Sequence, residues 1–75
     1  MRIGDKVKLT QIAKENDCYS EFKNKVLTIT NIAKNSKEHP GFDDSLRGQK
    51  LYDFIDEDGS DISCSLYSYE VKRCI

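Results

Sequence analysis

Apolar and polar side chains alternate along much of the chain. In Asp5 to Thr10 (DKVKLT), Val7 and Leu9 fall on one parity and Lys6, Lys8 and Thr10 on the other, the period of a half-buried strand that follows a Gly4-Asp5 turn. Lys25 to Ala33 (KVLTITNIA) is β-branched and apolar on both parities, which predicts a central strand. The inward set there is read as Val26, Thr28 and Ile32. The alternative is that Leu27 and Ile29 point inward, with the strand slipped by one position. Between these strands the pattern allows a helical turn over Gln11 to Glu15 and a tight turn at Asn24, a residue type that tolerates positive φ. No sustained 3.6-residue period is present, so the chain is expected to be all-β.

The C-terminal third carries a hairpin. Lys50 to Asp56 and Asp61 to Leu66 flank Glu57-Asp58-Gly59-Ser60. A two-residue Asp58-Gly59 turn would place Asp53 on the face of Ile62, Cys64 and Leu66, and a buried unpaired carboxylate is costly. A three-residue loop with Gly59 left-handed in a bulge instead groups Tyr52 and Phe54 with Ile62, Cys64 and Leu66. That register leaves Leu51 and Ile55 on the other face beside Ser63, where the long 35–49 loop is the available cover. Ser65 to Tyr69 reads as a short helical turn leading to a final strand, Glu70 to Ile75. The expected core is Val7, Leu9, Val26, Thr28, Ile32, Tyr52, Phe54, Ile62, Cys64, Leu66 and Val71.

Composition narrows what such a fold can do. Seventy-five residues allow one domain (1–75) and one small core. Charged residues make up 33% of the chain and mean hydropathy is −0.67, so most of the surface is expected to be solvated. No apolar run approaches the roughly 20 residues of a membrane span, and MRIGDKVKLT lacks the apolar stretch of a signal peptide, so a cytoplasmic protein is expected. Cys18, Cys64 and Cys74 are odd in number and without CxxC spacing. They read as reduced thiols rather than as a disulfide framework or a zinc knuckle, with Cys64 buried as a small hydrophobe. Residues 1–37 carry eight Lys/Arg against four acids, and residues 38–75 carry four against nine. The halves therefore differ in sign, and the acidic one repels phosphate backbones.

Ile3-Gly4-Asp5-Lys6-Val7-Lys8-Leu9, the strand Val26 to Thr30, the hairpin around Glu57-Asp58-Gly59 and Ser65-Leu66-Tyr67-Ser68-Tyr69-Glu70-Val71 together resemble the SH3-like small β-barrels, including KOW-type domains. More narrowly, HPGFDD, LYDF, DEDG and SLYSYEV are similar to small uncharacterised proteins of bacteria, phages and mobile elements. The resemblance implies a five-stranded antiparallel barrel with one long loop and a helical turn before the last strand. It supplies no reaction, since fold does not dictate function.

Two stretches are candidates for chemistry. EHPGFDDSLRGQK (38–50) holds the only histidine, but His39 with Asp43 and Asp44 has neither the ligand set of a zinc site nor a nucleophile to serve. DFIDEDGSD has five carboxylates in nine residues, yet with Gly59 at loop position six of an EF-hand, position one is Phe54 and position twelve Ser65. Neither a metal, a cofactor nor catalysis is expected. Protein binding is the leading reading, through Phe42, Asp43, Asp44, Leu46 and Arg47 of the loop and Asp56, Glu57 and Asp58 of the acidic hairpin. Phe42 has a second possible role, as the anchor that holds the loop to the barrel. The competing reading is nucleic-acid binding through Lys6, Lys8, Lys23 and Lys25, against which stands a pI near 5.7.

Overall fold

The structure is a computed structural model that describes residues 1–46, 48–62 and 64–74. Five strands form one antiparallel sheet: β1 (Lys6–Leu9), β2 (Leu27–Ala33), β3 (Leu51–Ile55), β4 (Leu66–Tyr67) and β5 (Val71–Arg73). Their order across the sheet is β4-β3-β2-β1-β5. The all-β expectation holds at this level. A four-residue helix, α1 (Gln11–Lys14), follows β1 and is capped by Thr10, whose Oγ1 accepts the Ala13 N–H. Single 3₁₀ turns lie at Asp17–Tyr19 and Ser68–Glu70. Among the described residues no helix is long and apolar enough to cross a membrane.

The inner face of the sheet holds the main core. Val7, Leu9, Leu27, Ile29, Tyr52, Phe54, Leu66 and Val71 are buried there with Ala13 and Phe22, and Ile32, Ile62 and Cys64 pack at its edge. Strand β2 corrects the expected parity, because Leu27 and Ile29 point inward while Val26 and Thr28 are only half-buried. Ile32 also reaches the core, although its parity is opposite. A register shift between Ile29 and Asn31 reconciles the two, since an extra residue in one strand turns the following side chains over. KVLTITNIA is apolar on both parities because the strand changes face part-way along.

The hairpin closes as its acids require. Asp56 N–H donates to Ser60 O at 2.9 Å, Gly59 N–H to Asp56 O at 3.1 Å, and Gly59 has φ 83°, so the connection is the three-residue loop. Only glycine takes that φ without strain. The fourth strand differs from expectation. Asp61 makes a single bridge to Ile55, and regular pairing resumes only where Leu66 meets Tyr52 and Tyr67 meets Leu51. That is five steps on one strand against three on the other, a shift of two that keeps Tyr52 and Leu66 on one face. Ser63 lies outside the described residues. The helical turn likewise begins later than expected, at Ser68, because the Glu70 carboxylate accepts the Tyr67 N–H at 2.9 Å and fixes Tyr67 as the residue before the turn.

Glu70 itself is buried, 7% exposed. It accepts the Tyr67 N–H, and the Tyr19 hydroxyl has its pKa pushed up by burial first and by the Glu70 charge second. The turn at Asn24 is made without positive φ, which among the described residues only glycines adopt. Cys64 is half-buried rather than buried, and all three cysteines are free.

Candidate functional site

The outer face of the sheet is where β2 and β3 are joined by residues 34–50. Odd-numbered residues of β3 point this way, and Leu51 would be exposed without a cover. Phe42 provides it, packing with Ala33 and Leu51 in a second small core that Tyr67 borders. The Phe42 and Tyr67 rings meet edge-on with centroids 5.6 Å apart, and the Tyr67 hydroxyl accepts the Asp43 N–H at 2.9 Å. Phe42 is 7% exposed, so of its two possible roles the structure gives it the anchor. Ile55 lies beyond this cover and lines a cavity of about 440 Å³ with Lys6, Val26, Thr28, Asp56, Glu57 and Gly59.

A polar knot fixes the loop a second time. His39 Nδ1 accepts the Gly41 N–H at 2.9 Å, so in the neutral ring the hydrogen sits on Nε2, which lies 3.2 Å from Asp53 Oδ1 and 3.2 Å from Ser65 Oγ. Ser65 Oγ donates to the same Asp53 oxygen at 2.5 Å, and Asn31 Nδ2 donates to its other oxygen at 3.3 Å. The three side-chain types of a serine hydrolase are thus adjacent, but with a different proton arrangement. A serine nucleophile needs an imidazole lone pair facing its hydroxyl. Here that lone pair is on Nδ1 and is turned to a backbone N–H.

Burial pushes the Asp53 carboxyl up, but the hydrogen bonds from Ser65, Asn31 and His39 together bring it below the ordinary value. A carboxylate whose folded pKa is depressed contributes stability that is complete above its unfolded pKa and is lost as pH falls through the folded one. The expected result is an acid-side decline in melting temperature below about pH 4 that is shallower in Asp53→Asn, read by melting curves across pH.

The acids assigned to partner contact mostly serve the local backbone. Asp43 Oδ1 accepts the Ser45 N–H, which holds its carboxyl low. Asp44 takes the Ser36 hydroxyl and N–H, with the same effect. Asp56 Oδ1 accepts the N–H groups of Asp58 and Ser60, and Glu57 Oε1 accepts that of Val26. Each keeps a solvent-facing charge, and Asp58 is exposed. Leu46 is half-buried and Arg47 lies outside the described residues. His39 does not join Asp43 and Asp44, and among the described residues no group of three His, Cys, Asp or Glu is placed to hold a metal.

The lysines of the competing reading are divided. Lys6 and Lys8 share the outer face of β1, whereas Lys23 and Lys25 lie in the turn before β2. Lys25 lines a separate cavity of about 220 Å³ with Glu21, Phe22, Asp56, Asp61 and Ile62. Asp53 and Ser65 were not among the sequence candidates, although the hairpin register that places Leu51 on the outer face puts both there too. Comparison with protein-family models, curated proteins and solved structures returned no match.

Proposed function

We propose that the chain is a non-enzymatic binding module that engages a protein partner through the 35–49 loop and the acidic hairpin. The observation that carries this reading is the bracing of the loop. A long segment whose described residues form no helix or strand is tied to the sheet by Phe42, by the Tyr67 hydroxyl and by the His39–Asp53–Ser65 knot. A loop ordered before binding loses less entropy when a partner arrives. Its exposed acids, with Asp58 of the hairpin, suit a basic partner surface such as that of a nucleic-acid-handling enzyme, whose activity would be modulated by occlusion. The strand order and the 3₁₀ turn before β5 support an SH3-like barrel, and the similarity to small phage and mobile-element proteins suggests an accessory protein, an inhibitor being one concrete form.

The test is capture from host lysate with the intact chain and with a Leu46→Ala, Arg47→Ala variant whose far-UV spectrum is unchanged. A protein retained by the first bait and lost from the second is the expected result. Equal yields from both would remove the loop from the function.

A further inference from the structure

Beyond the loop, the outer face of β1 and β5 presents a ladder of lysines. Val7 and Leu9 are fully buried, so Lys6 and Lys8 point outward. Directly opposed residues share a face, and Lys8 stands opposite Lys72, while the buried Leu9 stands opposite the buried Val71. The Lys6 carbonyl accepts the Cys74 N–H, which continues the pairing past Lys6. The charged side chains that parity places on the outer face of these two strands are therefore lysines, while Arg73, opposite Val7, is exposed on the other parity and pairs with Asp5.

Like charges directly opposed on a sheet are unfavourable, and among the described residues Lys8 and Lys72 form no ion pair. Among the described residues the ion pairs are His39–Asp53 and Arg73–Asp5, and neither includes a lysine. Asp56 and Glu57 share a cavity with Lys6 and offset part of its charge, whereas Lys8 and Lys72 do not line that cavity. Lysine on an edge strand deters unwanted strand pairing, which would account for Lys72 on β5. It does not account for Lys6 and Lys8, since β1 lies inside the sheet between β2 and β5.

We infer that the outer face of β1 and β5 binds the phosphate backbone of a nucleic acid through Lys6, Lys8 and Lys72. Alternate residues of a strand lie roughly 7 Å apart, comparable to the separation of successive phosphates along a nucleic-acid strand. By parity β1 and β5 themselves turn only Lys6, Lys8 and Lys72 to this face, with no aromatic or large apolar side chain of the kind a protein hot spot needs; the nearest apolar groups, Val26 and Ile55, line the cavity beside Lys6. Binding is accordingly independent of base sequence and strongly salt-dependent.

Fluorescence anisotropy with a labelled single-stranded oligonucleotide of mixed sequence tests this. Neutralising three phosphates predicts a log–log salt slope near −2, or about twentyfold weaker binding between about 50 and about 200 mM salt. Lys8→Glu with Lys72→Glu should weaken binding at least tenfold and bring the slope to about −0.7. Lys23→Glu with Lys25→Glu, an equal change in net charge, should leave affinity within about twofold, since those lysines lie off the face. Should the reversed pair fail to fold, Lys8→Gln with Lys72→Gln removes two of the three charges without reversing them and should weaken binding likewise. Equal loss from both charge-reversal pairs, no binding of the intact chain at the lower salt, or competition by polyglutamate as effective as by unlabelled oligonucleotide would each overturn the inference.

Discussion

Phe42→Ala should cost about 3 kcal/mol of unfolding free energy, the range for truncating a buried phenylalanine. A chain of 75 residues has roughly 4–11 kcal/mol in total, so the loss is a large share of it. The cost has two sources. The cavity left between Ala33 and Leu51 removes apolar contact, and the edge-on contact with Tyr67 is lost with the ring. Phe42→Leu, which refills most of the volume, should cost closer to 1 kcal/mol. Urea titration measures both. A Phe42→Ala cost within about 0.5 kcal/mol of zero, the usual range for surface positions, would mean that the loop is not anchored through this ring.

Glu70→Ala should be comparably destabilising, about 3 kcal/mol, for a different reason. Its buried carboxylate accepts the Tyr67 N–H, and alanine leaves that donor without an acceptor and removes the contact that fixes the turn before β5. Glu70→Gln keeps a carbonyl oxygen to accept the Tyr67 N–H. Its cost should be near 1 kcal/mol, and a larger cost for glutamine than for alanine in thermal or urea unfolding would contradict the assignment.

How far the sequence discloses this arrangement depends on where each signal sits. Strand β1 and the hairpin were legible because local chemistry fixes them: Val7 and Leu9 alternate with lysines, and the cost of burying Asp53 selects the three-residue loop. Strand β2 was not, because a shift of register between Ile29 and Asn31 lets Leu27, Ile29 and Ile32 all face inward, and a single parity cannot describe that. The long loop was visible as an insertion, and its cover of Leu51 followed from the hairpin register. The His39–Asp53–Ser65 knot joins residues from three separate segments, so no local spacing marks it. Glu70 showed no signal as a buried group, since a lone glutamate in SLYSYEV reads as surface until Tyr19 is folded against it.

Ordering of the loop before any partner arrives is measured directly by amide hydrogen exchange of the isolated protein. The N–H groups of Ser36, Gly41 and Asp43 donate to Asp44 Oδ1, His39 Nδ1 and the Tyr67 hydroxyl, each at 2.9 Å. All three should exchange at least about tenfold more slowly than in an unstructured chain, and Phe42→Ala should remove that protection while the amides of β1 and β2 keep theirs. Exchange of the three at unstructured rates in the intact protein would contradict that ordering.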